Sequence, residues 1–272
     1  MKCTILGGQG FIGRHLVSYL ESLENSVWVP DRDDQNVLKK SLGYVYYCAG
    51  FTADYLKRPV DTIEAHVSLL ARILDSADYE TLVYLSSTRL YDGQTKGLAA
   101  DENSYLNVSP QDPRHFYDLS KLTGEALCHV MGQGKARIAR LSCVYNDHSD
   151  EDGFLPQLLK MVALASRGDT INVASSPNFA RDYVHISDVM RALVDISNKG
   201  VQTIYNVASG ENLLNLELKK MIEENSERYL VFDSDESARC PITISINKIR
   251  DEFGWLPRSV SEKITPWLKS LS

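Results

Sequence analysis

The sequence predicts the α/β class, a doubly wound parallel sheet with a smaller substrate domain toward the C-terminus. Three observations predict it. Cys3-Thr4-Ile5-Leu6 leads through Gly7-Gly8-Gln9-Gly10-Phe11-Ile12-Gly13 into an amphipathic stretch over 14–20, the order strand, glycine turn, helix. Short apolar runs then alternate with helical periods as far as Tyr145. Within the last of these periods, Tyr117-Asp118-Leu119-Ser120-Lys121 sets a phenol and an ammonium four residues apart, so on a helix both project from one face.

The elements follow in order. Gly7, Gly10 and Gly13 are spaced to let the chain turn sharply, bring backbone close to a pyrophosphate and pack helix on strand, with Phe11 and Ile12 at the helix start facing the phosphates. A lone glycine triplet is weak evidence. Here the next strand, 26–29, ends at Asp31, about 20 residues further on, where a carboxylate would hold the adenosine ribose hydroxyls. Arg32 could instead meet a 2′-phosphate, but Asp31, Asp33 and Asp34 would repel it, which favours NAD and keeps NADP as the alternative. Residues 35–43 are too few for a helix plus a strand, so a shortened crossover leads to a strand over 44–48. Ala49-Gly50 ends that strand with small side chains, as expected where backbone passes beneath a cofactor. A helix over 60–76 lines up Ile63, Val67, Leu70, Ile73 and Leu74 as one apolar stripe. His66 within it reads as a packing or hydrogen-bonding residue rather than a catalyst.

A strand over 81–85 runs into Ser86-Ser87-Thr88-Arg89-Leu90-Tyr91. Ligands of open α/β sheets sit beyond the carboxyl ends of the strands, so these hydroxyls stand where chemistry would occur, although such hydroxyls also cap turns. The polar stretch 93–116 reads as a loop reaching over the site, followed by the Tyr117 helix to about residue 131 and a strand over 136–142. An unperturbed tyrosine is a poor base, with a pKa near ~10, and a fixed charge such as the Lys121 ammonium is expected to lower it. Residues 1–145 are expected to form a dinucleotide-binding domain, with 183–208 returning to it. The segments 146–182 and 209–272 then make the substrate domain: a helix over 154–167 stopped by Gly168, a strand over 170–173, a loop into Arg181, and lid pieces at 216–224, 229–232 and from 245 onward.

Composition narrows the function. The 272 residues are 43% hydrophobic and 24% charged, which supports a sizeable core, and the net charge of −7 disfavours nucleic acid as a partner. Five cysteines without a Cys-x-x-Cys pair suggest reduced, buried thiols, with neither disulfides nor a metal site. A strand that begins at the third residue leaves no room for a signal peptide, and no run reaches the ~20 apolar residues of a membrane span. A cytoplasmic chain with no membrane partner is expected.

Taken together, Gly7-x-x-Gly10-x-x-Gly13, Asp31, Ser87 before Tyr91, Tyr117-x-x-x-Lys121 and Arg181-Asp182-Tyr183-Val184-His185 resemble the extended short-chain dehydrogenase/reductases, in their nucleotide-sugar epimerase/dehydratase branch. Tyr205-Asn206-Val207-Ala208 and Phe253-Gly254-Trp255-Leu256-Pro257 resemble later signatures of that family, so the resemblance covers nearly the whole chain. It implies a Rossmann-type sheet and NAD(P)-linked redox chemistry on a nucleotide-activated sugar, by a 4-keto-sugar reductase or a C4 epimerase working through a transient ketone. Tyr117 would exchange the proton of a sugar hydroxyl, Lys121 would bind the nicotinamide ribose and lower the phenol pKa, and Ser87 would hydrogen-bond the reacting oxygen, with Thr88 as stand-in. Arg181 would meet the nucleotide diphosphate, and Asp188 would cap a helix. Pairing through the 60–76 and Tyr117 helices is typical of the family, which gives the expectation of a homodimer.

The departures are specific. The family's dehydratases place two acids directly after the strand-end Thr, where this chain has Thr88 and Arg89, which argues against 4,6-dehydration. An Asn and a Tyr-Gly-Pro usually follow the strand that ends here after Arg140; Cys143, Val144, Tyr145, Asn146 and Asp147 stand there instead, leaving the sugar-diphosphate contact at Cys143 open. His66 replaces a helix Asn. Two other readings therefore stay beside the first: a redox enzyme on a carbonyl substrate without a nucleotide, and a non-catalytic NAD(P)-binding regulator, which would be free to lose Tyr117 or Lys121.

Overall fold

The computed structural model describes residues 1–94, 99–146, 153–232 and 240–271. β1 (Lys2–Leu6) turns at Gly7 into α1 (Phe11–Ser22), and β2 (Ser26–Trp28) follows. A single 3-10 turn, Gln35–Leu38, is all that fits before β3 (Tyr44–Tyr47), which agrees with the shortened crossover. Next come α2 (Pro59–Ile63), a π turn (Glu64–Ser68), α3 (Leu69–Ser76), β4 (Thr81–Ser87), a 3-10 turn (Thr88–Tyr91), α4 (Phe116–Met131) and β5 (Ala136–Leu141).

β2, β1, β3, β4, β5 and a later strand form one six-stranded sheet in that order, every pair parallel. The chain steps outward from β1 to β2 and then returns to the other side of β1, so the order reverses between β1 and β3. That reversal opens a crevice at the carboxyl ends, the place where such sheets hold ligands. The inner strands are buried on both faces, which is why they read as nearly continuous apolar runs. α1 packs Leu16 and Leu20 on one face; Leu70 and Ile73 of α3 and Cys128 of α4 cover the other. Each fully buried leucine or isoleucine contributes about 1.5–3 kcal/mol.

Beyond β5 lie β6 (Cys143–Tyr145), α5 (Phe154–Leu164), β7 (Thr170–Val173), β8 (Ala180–His185), α6 (Ile186–Lys199), β9 (Ile204–Val207), β10 (Asn212–Leu214), α7 (Asn215–Ser226), β11 (Tyr229–Phe232), α8 (Asn247–Phe253) and α9 (Val260–Ser270). β9 is the last strand of the main sheet, and α6 packs on the α1 side of it. β10, β8 and β6 form a small sheet of their own, β11 pairs with β7, and a separate core gathers Leu155, Leu159, Ile222 and Ile264.

Several expectations change. The helix expected as far as residue 167 ends at Leu164, because Ala165 is already extended and Gly168 follows only later with φ +88°. Ile63 lies 38% exposed, outside the expected stripe, since the π turn adds a residue and shifts the phase between α2 and α3. The side chain of His185, not Asp188, caps α6 by accepting the Ser187 N–H. Asp188 is fully buried and accepts the Arg258 N–H at 3.0 Å, while its carbonyl accepts Trp255 Nε1–H, so it ties the C-terminal segment to α6. Cys143 and Cys240 are exposed rather than buried. The acidic run at 147–152 lies outside the described residues. No described helix is long and apolar enough to cross a membrane.

Candidate active site beyond the carboxyl ends of the strands

The glycine turn is built for close approach. Gly7 has φ +83°, and a Cβ there would stand 2.6 Å from the Ala49 nitrogen, so β1 turns directly against the end of β3. At Gly13 a Cβ would overlap the Gly7 carbonyl and come within 2.7 Å of Gly8 Cα, which is what lets α1 lie down on its own turn. Gly10 differs: a Cβ there would meet only the Gly7 oxygen, at 3.4 Å, and faces otherwise open space. Gly10 precedes α1 without a side-chain cap, so the N–H groups at Phe11 and Ile12 keep the partial positive charge of a helix start. An open cradle over a free helix N-terminus fits a dinucleotide pyrophosphate.

Asp31 is exposed just past β2. Arg32 beside it is not free: it pairs with Asp61 at 3.2 Å and lies 5.6 Å from the Phe51 ring centre. Gly50 is held small within the protein as well, because a Cβ there would stand 2.8 Å from His66 Nε2.

α4 carries the Tyr117 and Lys121 pair, and its depth is set by Gly124, where a Cβ would overlap the Tyr84 hydroxyl of β4. The helix therefore rests on the strand and sets Tyr117 and Lys121 over its carboxyl end, both nearly buried. Ser87, the last residue of β4, accepts the Arg89 N–H at 3.2 Å and also favours the ionised form of the Tyr117 phenol. Lys121 Nζ donates to the Leu85 carbonyl at 2.9 Å and lies 5.8 Å from the Tyr117 ring centre. Burial brings its ammonium down to about 8, against the opposing pull of Glu125.

The expectation that Lys121 lowers the phenol is not met in the protein alone. Burial pushes Tyr117 up to about 12, and the groups acting against it are first Ser87 and then Arg89. At neutral pH the resting phenol is protonated.

His66 underlies this arrangement. Its Nε2 accepts the Phe51 N–H at 3.1 Å, which leaves Nδ1 to carry the proton toward Ser120 Oγ, 2.8 Å away. Burial first and the Lys121 charge second hold its pKa down to about 3, so the ring is neutral. Beneath the site, Glu125 accepts two bonds from Arg140, at 2.9 and 2.6 Å, and one from Ser86 at 2.6 Å, while Arg140 Nη1 donates to Tyr91 Oη at 2.7 Å.

The remaining expected residues are spread wider. Thr88 donates to the Leu141 carbonyl at 3.3 Å, which turns its hydroxyl toward β5. Cys143 opens β6 and is exposed. Arg181, on β8, lies over the Phe154 ring at 4.5 Å, and its Nη1 is buried without a hydrogen-bond partner among the described residues. Ser87, Tyr117, Lys121 and Gly50 thus meet at one point, with the glycine turn across the crevice. Sequence reasoning missed three neighbours: Tyr55, whose ring lies 5.4 Å from that of Tyr117, Ser120, and Arg89. Ser120 lies inside the motif that was singled out; Arg89 was noted only as a departure. Among the described residues no cluster of three His, Cys, Asp or Glu side chains is placed to hold a metal ion.

The model of the NAD dependent epimerase/dehydratase family matches residues 3–208. UDP-glucuronic acid decarboxylase 5 of Arabidopsis thaliana is 26% identical over 302 residues, spanning 95% of this chain and 85% of that one. The dTDP-4-dehydro-6-deoxyglucose reductase of Escherichia coli is 25% identical over 317 residues, spanning 98% and 96%. Among solved structures, the UDP-glucose 4-epimerase of Thermotoga maritima with UDP-glucose superposes with a TM-score of 0.77 at 20% identity, over 100% of both chains.

Proposed function

From the premise that the chain belongs to the NAD dependent epimerase/dehydratase family, we propose that it is an NAD(P)-dependent oxidoreductase of nucleotide-activated sugars, a 4-keto-sugar reductase or a C4 epimerase. One observation carries the reading: Ser87, Tyr117 and Lys121 converge at the carboxyl end of β4, facing the crevice that the glycine turn borders. When bound, the nicotinamide supplies or takes up the hydride. Gly7, Gly10, Phe11, Ile12 and Gly13 would hold the pyrophosphate, Asp31 the adenosine ribose, and Lys121 the nicotinamide ribose.

Tyr117 gives its proton to the carbonyl oxygen as the ketone becomes a carbinol, and takes one back in the reverse direction. Ser87 hydrogen-bonds the same oxygen and limits the charge that builds there. A phenol that rests protonated can give its proton to a ketone, a step that the reductase and the epimerase share. Arg181, beside the Tyr183 hydroxyl on β8, would meet the diphosphate of the substrate. Thr88 and Arg89 provide no carboxylate at the strand end, but UDP-glucuronic acid decarboxylases are among the relatives and an NDP-hexosamine 5,6-dehydratase among the similar structures, so decarboxylation and elimination of water both belong in the assay. A homodimer through the helical stretch 60–76, from α2 to α3, and through α4, with Val60 80% exposed, is part of the same reading.

The test is a thermal-shift panel of UDP-, GDP-, CDP- and dTDP-sugars, with and without NAD and NADPH, followed by turnover of whichever pair stabilises the chain. Tyr117→Phe should lower that turnover about 10²–10⁴-fold while the cofactor still stabilises the protein. Turnover at the wild-type rate in Tyr117→Phe would overturn the assignment.

A further inference from the structure

Resting on the reading that Tyr117 moves the proton, we propose that Arg89 is a positioning residue for it, a second fixed cation that braces the ring of Tyr117 and supplies the positive charge its phenolate needs. The geometry is specific. The Arg89 guanidinium carbon lies 5.3 Å from the Tyr117 ring centre and 5.2 Å from that of Tyr55, so one planar cation borders both rings of the pair. Three partners hold it. Nη2 donates to Tyr55 Oη at 3.1 Å and to the Arg114 carbonyl at 2.7 Å, and Nε lies 3.2 Å from Asp118 Oδ1. The last contact is off the direction of an N–H···O bond, since Asp118 Oδ1 has no hydrogen bond among the described residues, so it acts as an ion pair. These partners come from α4, the segment before α2 and the turn before α4, and the same pieces also touch through Tyr55, whose hydroxyl donates to the Arg114 carbonyl at 3.4 Å and whose ring lies 5.4 Å from that of Tyr117.

An arginine with a single partner on an open surface would be a solvated charge. This one is anchored to a carboxylate that is 4% exposed and is itself two-thirds covered. It also differs from Lys121, whose ammonium is committed to Leu85 and begins to lose its proton at about 8. A guanidinium keeps its charge at every pH an enzyme meets.

The groups around the phenol fix the sign of the effect. Asp118 and Lys121 come from its own helix, Ser87 and Tyr84 from β4, Tyr55 from the segment before α2, and His66 from the π turn. Asp92, Asp112 and His115 bear on Asp118. His66 is neutral, so Arg89 and Lys121 are the cations and Asp118 the one anion of this set. Arg89 acts on the phenol more strongly than Asp118 does, and in the opposite direction.

The experiment is a ¹³C NMR titration of protein labelled at the tyrosine ring carbon that bears the hydroxyl, with the Tyr117 signal assigned by its loss in Tyr117→Phe. Asp118→Asn should bring the Tyr117 midpoint down by about half a pH unit, and Arg89→Gln should take it up by about one. Arg89→Lys should stay near wild type. Arg89→Gln leaves Asp118 buried without its ion pair, so the double variant Arg89→Gln/Asp118→Asn is measured beside it and should still titrate above wild type. The kcat/KM profile for alcohol oxidation should move in the same directions. Midpoints that do not move in Asp118→Asn and in the double variant, or that move the same way in both, would overturn the proposal. Because the NMR signal reads the phenol without substrate, this outcome is separate from the turnover of Tyr117→Phe, which tests the underlying assignment.

Discussion

Ser120 Oγ accepts the Nδ1 proton of His66 at 2.8 Å and donates its own to the carbonyl of Tyr117 at 2.7 Å. The imidazole is therefore one hydroxyl away from the backbone of Tyr117. It can keep both this bond and the one from the Phe51 N–H only while neutral, because a protonated Nε2 could no longer accept.

That constraint makes the fold acid-sensitive. The folded pKa of His66, about 3, lies below the ordinary value of 6.5, so the folded chain binds fewer protons between these two values than the unfolded chain does. The stability this group contributes is fully present above 6.5 and is lost as pH falls toward 3. Between pH 6.5 and 5 the loss should be about 2 kcal/mol, and His66→Asn should remove most of it. Urea unfolding at the two pH values, wild type against variant, measures the difference. Parallel losses in both proteins would show that acid acts elsewhere.

Gly10 and Gly13 should respond differently to alanine. Gly13→Ala drives a methyl into backbone that cannot yield, so both Tm and cofactor binding should fall. Gly10→Ala finds room within the fold and should cost under about 1 kcal/mol, yet its methyl enters the cradle over α1. Calorimetry of the two variants, with and without NAD, should show Gly10→Ala folded but weakly bound. If Gly10→Ala bound NAD as the wild type does, the pyrophosphate would not lie over this turn.

The Arg140–Glu125 pair, 4% and 5% exposed, ties α4 to β5 directly beneath Lys121. Truncating one partner leaves the other charge buried, which typically costs about 3–5 kcal/mol. Glu125→Gln and Arg140→Met should each lower stability on that scale, and the double variant should lose less than the sum. A urea double-mutant cycle reads the coupling, and additive losses would mean that the two side chains act independently.

Much of the site was legible because its signals are local. The glycine spacing, the apolar strand runs and a Tyr and Lys one helical turn apart each place residues on a face by period alone, and the first six elements of the chain follow from them. The π turn was not legible: an inserted residue leaves the 3.6 period of each flanking piece intact and changes only their relative phase, which is how Ile63 came to face outward. β6 and β10 span three residues each, too few to display alternation.

By itself, the sequence determined that a glycine turn would open a parallel sheet and that a phenol and an ammonium would share a helix face. Tertiary structure alone decided which charge stands closer to that phenol. Arg89 reaches Tyr117 only because the turn after β4, the segment before α2 and the start of α4 close on one another, and Asp188 meets Arg258 across 70 residues of chain in the same way. Period encodes the direction of a side chain, but its partner is set by how distant segments pack, and burial then settles how a proton is held.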